Sequence, residues 1–77
     1  MTLMYVIAII NSFGLDYDVV YITENAWQIY ADQPGNYVFI QYDKEKYYSI
    51  RSAGKRCEYK SKDARKAEIS FKFCLSR

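Results

Sequence analysis

The sequence predicts an α+β domain: a small, mainly antiparallel β-sheet of about five strands with one short helix near residues 61–69. Three observations predict it. Short runs rich in β-branched and aromatic residues recur along the chain, each closed by a polar or glycine-containing break. Residues 32–36, Asp-Gln-Pro-Gly-Asn, form a strong turn signal between two such runs. Ser61 to Ile69 opens on a capping residue and continues in good helix formers.

In chain order, Leu3–Ile10 is β-branched, aromatic and apolar on both sides, which predicts a central strand. Asn11 to Gly14 breaks it. Asp18–Ile22 predicts a second strand, forming a hairpin with the first through residues 15–17. Residues 23–31 fit either a short helix capped by Thr23 or a strand with Trp27, Ile29 and Ala31 on one side. The turn that follows favours the strand. Tyr37–Tyr42 and Tyr47–Ser52 then form a hairpin across the polar turn 43–46. Residues 53–55 break the chain, and Arg56–Lys60 alternates as a strand does. Residues 70–75 either extend the helix or form a last strand, and the alternation of Phe71, Phe73 and Leu75 with Lys72 and Cys74 favours the strand. No repeat, linker or low-complexity tract divides the chain, so residues 1–77 read as one domain.

The segment from Trp27 to Ile69 has an aromatic strand start, a turn, a Tyr/Phe strand pair, and Tyr59-Lys60-Ser61-Lys62 opening a helix. In that outline it resembles small bacterial YegP-like domains, without an Asn-Gly turn between the paired strands. The resemblance implies no function.

Composition narrows the chemistry. Apolar residues make up 51% of the chain, enough for a small core and incompatible with wholesale disorder. With no histidine, Ser-His-Asp and Cys-His catalytic arrangements are excluded. The three glycines stand alone at 14, 35 and 54, so no Gly-rich phosphate loop exists. Two cysteines do not make a four-ligand zinc site. Asp16 and Asp18 flank Tyr17 as a carboxylate pair, but no further acids follow at metal-binding spacing. Cys57 beside Lys55 and Arg56 is the one thiol with a cationic neighbourhood. The expectation is a protein that is not an enzyme and needs no cofactor and no metal.

Charge is divided along the chain. Residues 1–43 hold five acids (Asp16, Asp18, Glu24, Asp32 and Asp43) and no Lys or Arg. Residues 44–77 hold all eleven Lys/Arg and four acids. The halves carry −5 and +7. Such asymmetry points to a charged partner, or to internal pairing of acidic and basic strands. Leu3–Ile10 is too short to span a bilayer, and no basic residue precedes it. The expected compartment is the cytoplasm, with Cys57 and Cys74 as reduced thiols, or as a disulfide if both fall on neighbouring strands.

Nine tyrosines, four phenylalanines and one tryptophan exceed what so small a core encloses, so some rings must reach the surface. In the basic half, rings and cations interleave. The expected contact residues are Tyr47, Tyr48, Arg51, Lys55, Arg56, Lys60 and Arg65, with Trp27 and Tyr37 structural. The function expected is that of a non-enzymatic binding module acting by steric and electrostatic occlusion of a protein or ribonucleoprotein partner. In size and type it is like the small inhibitors of phages and mobile elements, such as anti-CRISPR antagonists of host defence complexes, which act in the host cytoplasm. The alternative is an RNA or single-stranded DNA binder using the same face, against which the acidic half and the modest pI of about 8.5 weigh. Open sheet edges also allow a homodimer.

Overall fold

The computed structural model describes residues 1–54 and 57–76. Its elements are helix α1 (Leu3–Ser12), strands β1 (Tyr17–Ile22), β2 (Trp27–Gln33), β3 (Asn36–Tyr42), β4 (Tyr48–Ser52) and β5 (Cys57–Ser61), and helix α2 (Ala64–Leu75). The five strands form one antiparallel sheet in the order β1-β2-β3-β4-β5, so every strand pairs only with its neighbours in sequence. The α+β sheet is therefore as the sequence predicts, and a second helix is added to it.

Strand alternation sorts the side chains onto two faces. Trp27, Ile29 and Ala31 of β2 lie opposite Tyr42, Ile40 and Val38 of β3. Ile40 in turn faces Ile50 of β4. These residues form the apolar face of the sheet, and the two helices lie on it. Val6, Ile9 and Ile10 of α1 and Ala67, Phe71, Cys74 and Leu75 of α2 complete the core.

Two segments expected as strands are helices. Leu3–Ile10 is the body of α1. A short apolar run reads equally as a buried strand or a buried helix. The sheet decides between them, because its apolar face needs a cover. Thr2 caps the helix, its side chain accepting a hydrogen bond from the Tyr5 amide at 3.2 Å. The hairpin expected between Leu3–Ile10 and Asp18–Ile22 is therefore absent, and β1 pairs with β2 instead. A turn held by Thr23 joins them: its hydroxyl accepts from the Ala26 amide at 3.0 Å. The expected strand over 70–75 is the second half of α2. Burial at Ala67, Phe71, Cys74 and Leu75 follows helical spacing, while Phe73 points to solvent. The cap is Asp63 rather than Ser61; its carboxylate accepts from the Arg65 and Lys66 amides at 2.9 and 3.1 Å.

The thiols are also not as expected. Cys57 of β5 and Cys74 of α2 form a disulfide with a Cα–Cα distance of 6.0 Å. The bond joins a strand to the helix lying over it, not two neighbouring strands. The helices are tied to each other as well. The Tyr5 hydroxyl donates to Glu68 at 2.7 Å, and Lys72 pairs with the same carboxylate at 3.0 Å. The Tyr5 hydrogen bond, then Lys72, hold the Glu68 carboxyl below its ordinary pKa.

One end of the sheet is closed by a polar network. The Gln33 amide donates to the Leu75 carbonyl at 2.7 Å, and the Asn36 amide donates to Gln33 and to the Ser52 hydroxyl, both at 3.0 Å. The Gly54 amide donates to the Asn36 side chain at 2.7 Å. Gly35, with φ of +71°, supplies the left-handed position of the Pro34-Gly35 turn. At Gly54 the constraint is space: an added Cβ falls 2.8 Å from Asn36 Cγ. Gly54→Ala is expected to disrupt this network and cost about 1–3 kcal/mol in denaturant unfolding. An unchanged midpoint would show that Asn36 moves aside freely.

Candidate partner-binding surfaces

The sheet face opposite the helices is uncovered among the described residues. It carries Asp18 and Tyr21 of β1, Tyr30 and Asp32 of β2, Tyr37 and Phe39 of β3, Arg51 of β4, and Glu58 and Lys60 of β5. Register brings the rings together: Tyr30 is directly opposite Phe39, and Phe39 opposite Arg51. The Tyr30 ring lies 5.0 Å from Phe39 and 5.1 Å, edge-on, from Tyr37. The Arg51 guanidinium sits 5.4 Å above the Phe39 ring, a contact worth about 0.5–1 kcal/mol at an exposed site. Beside it runs a shallow groove of about 520 Å³, lined by Phe39, Gln41, Ser49, Arg51, Glu58 and Lys60.

A second feature lies where the β3–β4 turn meets the end of β5. Lys60 and Lys62 place their ammonium groups 4.9 and 5.0 Å from the centre of the Tyr47 ring. Neither lysine forms an ion pair; among the described residues the only ion pair is Lys72–Glu68. Two unpaired cations on one ring leave both free to meet an external anion.

The structure brings three of the expected contact residues to this side of the molecule: Tyr47, Arg51 and Lys60. Tyr48 is corrected. It is only 6% exposed and lies on the helix-covered face, where its hydroxyl accepts from the Met1 amino group at 2.6 Å. Tyr48 is opposite Tyr42, with ring centres 4.7 Å apart, and burial, with the neighbouring Tyr42, raises its pKa. It is a core residue because alternation carries Ile50 and Ser52, two and four positions on, to the same buried face. Arg65 is exposed but stands on α2, which covers the other face of the sheet, so it does not join Arg51. Lys55 and Arg56 lie outside the described residues. Trp27 is structural, as expected, whereas Tyr37 is exposed in the open-face cluster.

Sequence reasoning missed Tyr30, Tyr37 and Lys62 as surface candidates; Phe39 lies on the same sheet face but is only 6% exposed, packed against Tyr30 and Arg51. The signal for Tyr30 and Tyr37 was their common phase on paired strands, which becomes readable once Gln33 and Asn36 are known to face each other across the turn.

No cluster of His, Cys, Asp or Glu able to hold a metal ion occurs among the described residues. Cys57 has no free thiol. Asp16 and Asp18 gain no third acid.

Comparison with protein-family models, curated proteins and solved structures finds no match for the chain, and the YegP-like outline gains no support there.

Proposed function

We propose that this protein is a binding module that docks an acidic protein surface through its β4–β5 side, occluding that surface without chemistry. One observation carries the reading: the strand order. Because the sheet is a strict meander, the charge division of the sequence becomes a division in space. The strands of the acidic half, β1 and β2, form one side, and the cationic β4, β5 and α2 form the other. Tyr47, Arg51, Lys60 and Lys62 supply rings and unpaired cations there. Complementary potentials of this kind raise association rates and select partners.

The open face favours a protein over nucleic acid. Asp18, Asp32 and Glu58 stand on the same face as Arg51 and Lys60, so a phosphate backbone crossing the sheet would meet three acids against two cations. For the place of action the disulfide is the guiding observation. Disulfides persist in oxidising surroundings and are rare where thiols are kept reduced. The reading therefore moves from the cytoplasm to an oxidising compartment, and an intracellular defence complex loses its place as the preferred partner. No helix among the described residues is long and apolar enough to cross a membrane.

The triple variant Arg51→Glu, Lys60→Glu, Lys62→Glu tests the reading, since all three side chains are exposed and the fold should hold by circular dichroism. The wild-type protein is expected to be retained on immobilised poly-glutamate at low salt, and the variant to bind about tenfold more weakly or worse. Equal retention would remove this side from the account. A steeply salt-dependent affinity for oligo-dT, without retention on poly-glutamate, would transfer the reading to single-stranded nucleic acid.

A further inference from the structure

Strand β1 is unusual for an edge. All six of its residues are exposed, although most are apolar. Val20 is 54% and Ile22 62% exposed, and Val19 and Tyr21 are also open. Phe13, on the chain leading into the strand, is exposed as well. Contiguous apolar surface of this kind on a small protein marks an interaction site. β1 pairs with β2 on one side; on the other, no described strand pairs with it. The outer edge therefore presents a row of unpaired backbone donors and acceptors, which is a template for another strand. Natural edges are protected by lysine or proline, and β1 has neither. The charge of Asp18 and the irregularity between Val19 and Tyr21 are its protective features, and the irregularity interrupts pairing on the β2 side.

The charge around this edge selects the occupant. Asp16 and Asp18 stand at one end of β1 and Glu24 just past the other, and no lysine or arginine occurs anywhere in residues 1–43. A second copy pairing through β1 would bring these acids to one seam with no cation between them, and facing like charges destabilise paired strands. We infer that the outer edge of β1 accepts an extended segment of a partner protein, with alternating apolar residues and lysine or arginine at its ends. Backbone hydrogen bonds supply affinity in such strand addition, and side chains supply selection. The inference does not depend on the β4–β5 side: it concerns the opposite edge and the opposite charge.

The test uses the full chain, 15N-labelled, and two synthetic octapeptides. One alternates Val and Thr between terminal lysines; its twin has terminal glutamates. The lysine peptide is expected to shift the amide signals of residues 17–22 and to slow their hydrogen exchange. Asp18→Lys, at an exposed position, should weaken that binding about two- to fivefold and strengthen binding of the glutamate twin. No response at residues 17–22, or equal binding of the two peptides by the wild type, would overturn the inference. So would a concentration-dependent dimer in sedimentation with those amides already protected, because a second copy would then hold the edge.

Discussion

Phe71→Ala is expected to cost about 3–5 kcal/mol, the range for emptying a fully buried aromatic site. Phe71 is the largest fully buried side chain, at 0% exposure, in the middle of α2. Ala67, Cys74 and Leu75 share its face, so the ring sits at the centre of the contact that holds the helix to the sheet. A domain of this size has a total stability of roughly 4–12 kcal/mol. The variant should therefore lose much or all of its cooperative urea transition at 25 °C. Phe71→Leu, which keeps most of the volume, should lose far less. A cost below about 1 kcal/mol for the alanine variant would mean that α2 is not seated as described.

The second large effect is reduction of Cys57–Cys74. The residues are 17 apart in sequence, and closing a loop of that length limits the unfolded chain by about 3 kcal/mol. Thermal unfolding with and without reductant should differ by roughly 12–24 °C at this size. Cys57→Ser with Cys74→Ser should behave like the reduced protein. Cys74 is one helical turn from Phe71 and fully buried, so the two perturbations share a site. Combined, they should depart from additivity. Equal melting temperatures in both redox states would show that packing of α2 alone fixes the helix.

The middle of the fold was legible for local reasons. β2 and β4 carry clean alternation, β3 is a run of strong strand formers, and the turns between them contain Pro34-Gly35 or a polar tetrapeptide. Nothing outside these segments is needed to specify them. The two ends were not legible because their structure is set by the sheet. Leu3–Ile10 is apolar throughout, so its period is hidden, and only the apolar face it covers makes it helical. Residues 70–75 alternate over six positions, but the stripe that wins begins at Ala67 and is visible only over the whole helix. The disulfide was misread for the same reason, since it follows from α2 lying over β5. At the surface, Arg51 and Lys60 could be found from charge alone. Tyr48 could not be told from Tyr47 without the register, because adjacent strand residues face opposite ways.

The meander also shapes how the chain reaches this state. Each strand pairs with the one just before it, so the sheet needs no closure of a long loop, and folding speed is governed largely by such closures. The distant contacts are those of the two helices: Tyr5 with Glu68, Met1 with Tyr48, and Gln33 with the end of α2. Assembly can thus proceed hairpin by hairpin, with the helices docking afterwards and oxidation of the cysteines sealing a structure already formed.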